Sequence, residues 1–297
     1  MNGIGNGTRR SIVITGASSG IGRATAMRLV RSGWRVFATV RREGDATTIR
    51  GETGGAVETV QLDVVDKDSI AAAARDIATR LDGRGLDALF NNAGIGDVFS
   101  TEYGSLEALR RIYEVNLFGQ IAVIQALLPL VRMAKGRIVN AGSVGDHIAP
   151  PFAGALSSSK AAFASMSAAL RLELRPQGIY VCIIEPGAIN TPAVDKTLGG
   201  VEQAIADMPA AGVRLYGEAM RRMARTFSKT ERAGSPPEAV AEVVERALTD
   251  RHPRPRYSAG KDSAKLALLA RFLPENLVDR AILRTFGLPT AFGQPVG

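Results

Sequence analysis

At 297 residues the chain suits one large domain or two small ones with a substantial core, and its 45% hydrophobic and 22% charged residues exclude disorder, a collagen repeat and a disulfide scaffold. The net charge of +8 raises the question of nucleic acid, but residues 251–297 hold eight Lys or Arg against three Asp or Glu and no aromatic-studded basic motif accompanies them, so no nucleic-acid partner is expected. One cysteine and two histidines leave no intrachain disulfide and no metal-ligand cluster, so no metal is expected.

The opening MNGIGNGTRR lacks the apolar core of a signal peptide, and no stretch reaches the roughly 18 uninterrupted apolar residues of a membrane span. Cys182, in IYVCIIEP, reads as a buried strand residue in a reducing, cytoplasmic setting. SIVIT (11–15) is the first predicted strand, and TGASSGIG leads from it into a helix over about 20–32. WRVFATV (34–40) and AVETVQLDV (56–64) follow as strands, then a helix at about 66–81 and the strand LDALFNNAG (86–94). A helix at about 105–133, the strand GRIVNAGS (136–143), a helix at about 157–176 and the strand IYVCIIEPG (179–187) complete the regular part. Short runs that are apolar on both faces, each followed by a helical pattern, indicate a parallel sheet covered on both sides: a single doubly wound α/β domain of the Rossmann type. After Gly187 the regularity fades, and 188–235 reads as an insertion holding one or two helices. SPPEAVAEVVERAL (235–248) restarts a helix with Ser235 as N-cap and prolines in the first turn. RPRYSAG offers a last edge strand, and KDSAKLALLARFL and ENLVDRAILRTFG are two amphipathic helices split by Pro274.

Gly16, Gly20 and Gly22 fall between the first strand and the first helix, with Ser18, Ser19 and Ile21 in the same loop. Gly16 permits the tight turn and lets backbone N–H groups reach a pyrophosphate; Gly22 lets the helix pack close to the sheet, and the helix N-terminus adds partial positive charge. The strand before and the helix after are the context this motif requires.

The spacing G-x-x-x-G-x-G resembles that of the short-chain dehydrogenase/reductase family, and the resemblance continues along most of the chain. Asn91, Ala93 and Gly94, in NNAG, look like the family motif that braces the central sheet beside the adenosine. Asp63, followed by Val64 in LDV, matches the adenine-contacting aspartate, and Pro186, Gly187 and Thr191, in EPGAINTP, would flank the nicotinamide end. The resemblance implies one domain over 1–297, with a dinucleotide-binding core at 8–187, a substrate lid at 188–235, and a last helix, edge strand and basic tail at 236–297. An acid at the end of the second strand would bind the ribose 2′-OH of NAD, but Arg41 and Arg42 stand there, which favours the 2′-phosphate of NADP.

The family transfers hydride between nicotinamide and a carbonyl or alcohol carbon, and the developing oxyanion needs a proton donor within reach. The resemblance implies that Ser143 orients the substrate oxygen, that Lys160 holds the ribose, and that Asn116 supports a water-linked proton relay. The family's tyrosine, four residues before the lysine, is replaced by Leu156. His147 is a candidate substitute donor, and Tyr103 or Tyr216 could reach the cleft from a loop, whereas Ser157, Ser158 and Ser159 are expected to face elsewhere on the helix. Three readings stay open: an enzyme with impaired turnover, a cofactor-holding sensor or structural protein, and a competent enzyme carrying a sporadic change. The tail resembles that of hydroxysteroid and retinol dehydrogenase-like members, which implies a bulky, apolar ketone or alcohol as the small-molecule substrate. A homodimer or homotetramer is expected, and the basic tail could touch a membrane surface or a partner.

Overall fold

A computed structural model describes residues 9–291; MNGIGNGT, on which the signal-peptide reading rests, lies outside them. Seven strands are present among these residues: β1 (Ser11–Ile14), β2 (Arg35–Val40), β3 (Val57–Gln61), β4 (Ala88–Asn91), β5 (Arg137–Ala141), β6 (Tyr180–Pro186) and β7 (Arg256–Ala259). They form one sheet in the order β3-β2-β1-β4-β5-β6-β7, and every pairing is parallel. The chain reverses direction across the sheet between β1 and β4, and in such sheets ligands bind beyond the carboxyl ends of the strands at that switch point.

Apolar residues on both faces of each strand are buried by helices on both sides. Ile12, Ile14 and Val36 pack under α1 (Gly20–Arg31), α2 (Glu43–Glu52) and α10 (Pro237–Thr249) through Leu29, Ile49 and Val244. Val13, Phe37 and Leu89 pack under α3 (Lys67–Leu81), α5 (Gly119–Ala134) and α6 (Gly154–Leu174) through Ile77, Leu127 and Phe163. The sequence missed α2 because EGDATTIRGE buries only Ala46 and Ile49, too few apolar residues to show a period.

The helix expected at 105–133 is α4 (Leu106–Tyr113), a π-helical turn at Glu114–Phe118, and α5. That continuous stretch, Leu106–Ala134, is long and apolar enough to cross a membrane, which corrects the expectation that no segment qualifies. Asn116, Gln120 and Gln125 break the uninterrupted runs that the sequence was searched for, while the mean hydropathy of an 18-residue stretch of this helix stays high. Here Val123, Ile124, Leu127 and Val131 are buried against the sheet and α3.

The insertion holds three helices where one or two were expected: α7 (Ala193–Leu198), α8 (Val201–Ala206) and α9 (Ala210–Arg232). The first two are six residues each, too short to show a helical period. Val201, Ile205, Met220 and Met223 of this layer form a third apolar cluster with Val98 and with Phe286 and Leu288 of the tail. The tail itself comprises α11 (Ser263–Phe272) and α12 (Glu275–Thr285). Leu29 is fully buried where α1 meets the sheet, so Leu29→Ala should cost about 2–5 kcal/mol in urea unfolding monitored by circular dichroism.

Candidate active site

The turn after β1 is held against the end of β4 by one hydroxyl. Thr15 Oγ1 accepts from the backbone N–H groups of Asn92 (2.8 Å) and Ala93 (3.0 Å), while Asn92 Nδ2 donates to the carbonyls of Thr15 (2.9 Å) and Gly16 (3.2 Å). Gly16 has φ +63°, and a Cβ there would lie 2.9 Å from Ala93 Cα. At Gly22 a Cβ would lie 2.5 Å from the Gly16 carbonyl. The loop therefore needs glycine for backbone approach, as expected.

A dinucleotide fits this cradle. The first N–H groups of α1, at Gly20, Ile21 and Gly22, have no acceptor within the helix, and no side chain caps them. Ser18 and Ser19 lead into them, partly exposed. From the far side Thr191 comes down on the loop, its Cβ 3.3 Å from where Gly20 would carry one. Arg41 and Arg42 are exposed just past β2, and neither guanidinium has a partner among the described residues.

Several expected cofactor residues turn out to be held by the protein itself. The Asn91 side chain is buried and donates to Gln120 O (3.3 Å) and Asn140 Oδ1 (3.4 Å), bracing β4 against α5 and β5. Ala93 has its N–H on Thr15 and its carbonyl on Gln120 Nε2, so it shapes the wall without a free backbone group. Asp63 Oδ1 accepts from Val65 N (3.2 Å), and the Val64 carbonyl lies against Gly119. Pro186 ends β6 in register with Ala259, and Gly187 is required because the Lys261 carbonyl passes where a Cβ would sit.

Asn116, Lys160 and Gly94 are brought together at one point. Asn116 lies in the π-helical turn, fully buried; its Oδ1 accepts from Ile95 N (2.9 Å) and its Nδ2 donates to Ile95 O (2.9 Å) and Ser159 Oγ (3.0 Å). Lys160 Nζ donates to the Ala141 carbonyl at 2.8 Å. A Cβ on Gly94 would stand 3.3 Å from Asn116 Oδ1 and 3.5 Å from Lys160 Nζ, so glycine leaves the approach to both groups open. Burial pushes the Lys160 ammonium down to about 8, with the Asp146 carboxylate pulling the other way. Ser143 heads a short turn, Val144–Asp146, and its Oγ accepts from Gly145 N (2.9 Å), which leaves its own O–H free to donate.

Leu156 lies on the same face of α6 as Lys160, and its Cδ2 is 3.2 Å from the position a Gly96 Cβ would take. Thr197 of α7 closes in on the same point, its Oγ1 at 2.8 Å, a lid residue the sequence did not single out. The serines do not all face elsewhere. Ser159 accepts from Asn116, and Ser157 Oγ packs over Gly145 beside Ser143.

The alternative donors are committed to other partners. Tyr216 donates to Glu102 (2.6 Å) and packs in an aromatic group with Tyr103 and Phe152, each 6.0 Å between ring centroids. The Glu102 carboxylate also raises both phenols above their ordinary range. His147 Nε2 lies 2.9 Å from Glu185 Oε1, inside a cluster with Asp146 and Arg256. The ligand-type atoms of Asp146, His147 and Glu185 lie within 4.8 Å of one another. The cation among them is the Arg256 guanidinium, 2.9 Å from Asp146 and in contact with Glu185. Both carboxylates are almost fully buried, at 2% and 4% exposure, and burial raises Asp146 above the usual carboxylate range. Arg256→Met strands two buried negative charges and should cost about 3 kcal/mol at pH 7.5. That loss should shrink as the pH falls and Asp146, its carboxyl raised by burial, takes up a proton, a trend that thermal melts across pH will read.

Comparison with known proteins agrees with this geometry. The family model for short chain dehydrogenases matches residues 10–199. The 17-beta-hydroxysteroid dehydrogenase type 6 of Homo sapiens is 35% identical over 283 residues, covering 94% of this chain and 89% of that one. Retinol dehydrogenase 16 of Mus musculus is 37% identical over 283 residues, covering 92% and 88%. A solved short-chain dehydrogenase from Streptomyces avermitilis superposes with a TM-score of 0.73 at 28% identity, over 95% of this chain and 97% of that one. The glycine loop, the Asn116–Lys160 centre and the matched span lead to one conclusion: the chain belongs to the short-chain dehydrogenase/reductase family, among its hydroxysteroid- and retinol-dehydrogenase-like members.

Proposed function

We propose that the chain is an NADP(H)-dependent oxidoreductase of an apolar ketone or secondary alcohol, with turnover held down by Leu156. The observation that carries this reading is Lys160, fixed on the Ala141 carbonyl beside Asn116 and Gly94 at the mouth of the glycine cradle. The donors at the start of α1 bind the pyrophosphate, and the unpartnered Arg41 and Arg42 take the 2′-phosphate. Lys160 spends one N–H on Ala141 and offers the others to the ribose. When bound, the nicotinamide supplies or accepts the hydride. Ser143 donates its free O–H to the substrate oxygen and stabilises negative charge there, but a serine hydroxyl does not give up its proton. Leu156 adds apolar surface beside Thr197 and Gly96, which suits an apolar substrate, and it offers no proton. Proton transfer then falls to the Lys160 ammonium, the one titratable acid on this face of α6.

The competing reading, a dinucleotide-holding protein without catalysis, rests on the same leucine. A homodimer or homotetramer is supported by Phe118 and Met133, exposed along the α5 stretch, and by Met166 and Leu172, exposed on α6. Leu268 and Phe272 of α11 are exposed near Lys265 and Arg271, a composition that suits contact with a membrane surface.

Leu156→Tyr should raise carbonyl reduction with NADPH by about 10²–10⁴-fold and leave NADPH affinity close to that of the parent. No turnover by the tyrosine variant on any carbonyl of a broad panel, with binding intact, would support the non-catalytic reading. Residual activity of the parent should decline as the pH rises through about 8, as Lys160 loses its proton. The double change Arg41→Asp, Arg42→Ala should weaken NADPH by at least tenfold and spare NADH, measured by cofactor fluorescence.

A further inference from the structure

The segment after β6, residues 187–192, is the part of the cradle expected at the nicotinamide end, and it belongs to no strand. Ala188 and Ile189 form isolated bridges to Lys261 and Ser235. Asn190 N donates to Ser235 O and Ser235 N to Ala188 O, each at 2.9 Å. Among the described residues, one side chain of α9 hydrogen-bonds to this backbone: Glu231, in the last turn of the helix, whose Oε2 accepts from Ile189 N at 3.0 Å. Two residues further on, Thr191 rests on Gly20 of the phosphate loop.

We propose that Glu231 is a positioning residue, tying the end of the lid helix to the backbone of Ile189 and so holding the Ile189–Thr191 segment in the shape that grips the nicotinamide end of the cofactor. The grip rests on the dinucleotide reading above; the tie itself does not. Burial raises the Glu231 carboxyl to about 7, and the Ile189 N–H pulls it only partly back. Charged groups on the surrounding elements are Lys229 and Arg232 on α9, Asp195 on α7, Glu238 on α10, and Lys261 and Asp262 after β7. Arg232 is taken by Asp195 at 2.6 Å, and burial and the Ile189 N–H are the two influences that move Glu231.

The direction of the pH dependence follows from linkage. The tied, buried carboxyl holds its proton more firmly than a solvated one does, so the tied form gains most in acid. That advantage is lost as the pH rises through about 7 and the buried group ionises. A protonated carboxyl still accepts from Ile189 through its carbonyl oxygen, without a buried charge. Glutamine mimics that neutral state at every pH.

The test is amide hydrogen exchange of a peptide spanning 187–192, corrected for the intrinsic rate at each pH from 5.5 to 8. It uses the full chain, Glu231→Gln and Glu231→Ala, with NADPH affinity measured in parallel. Protection in the parent should fall about five- to tenfold across pH 7, stay high and flat in Glu231→Gln, and be low and flat in Glu231→Ala. NADPH affinity should follow the same three patterns. Equal protection in the parent and Glu231→Ala, or a pH profile shared by the parent and Glu231→Gln, overturns the proposal. The expected exchange pattern with no NADPH binding in any of the three proteins supports the tie and defeats the dinucleotide reading alone.

Discussion

Two strands that diverge at the centre of a parallel sheet cannot satisfy each other's backbone beyond their ends, and the site of this protein occupies that gap. Thr15 Oγ1 and the Asn92 amide replace the missing ladder, holding the β1 turn against the chain leaving β4. The glycine loop, the open start of α1 and the Gly94 approach to Lys160 all depend on that clasp. With the clasp loosened, Gly16 and Ala93 would have no reason to sit so close that only glycine fits.

The reaction centre is built at a cost to the fold. Lys160 is driven toward neutrality by burial, and Asn116 spends its entire side chain on Ile95 and Ser159. Beneath them, Asp146 and Glu185 are held at almost no exposure by one arginine from the last strand. These groups make sense together as a preorganised polar floor, stiff before any ligand arrives. Leu156 sets an apolar side chain on the α6 face that carries Ser159 and Lys160.

The core and the order of elements were legible in the sequence because they rest on local pattern: short runs apolar on both faces, a glycine spacing, a lysine four residues from the leucine. The regular sheet followed from those runs, with ends trimmed where Asn92 and Ala93 leave the ladder for Thr15. The misses among the side-chain contacts share one cause, pairing between residues far apart in the chain. Asp146 with Arg256, Glu231 with Ile189, and Thr197 over Leu156 have no local signature. His147 read as a free acid for the same reason, since its partner Glu185 lies 38 residues on. The polar helix α2 and the two six-residue helices of the lid escaped through weak or short periodicity.

The wide turn at Glu114–Phe118 amounts to one surplus residue inside a long helix. Each residue advances a helix by about 100°, so the surplus acts as a phase correction between α4 and α5. Upstream, the helix is set to meet α6; downstream, it is set to bury Val123, Leu127 and Val131 on the sheet. Asn116 sits at the splice, where neither phase governs, and this frees its side chain to run across to Ile95 and Ser159. The same splice parts the charged turns of α4, with Glu107, Arg110 and Arg111, from the apolar turns of α5, so residues 106–134 are not one uniformly oily rod.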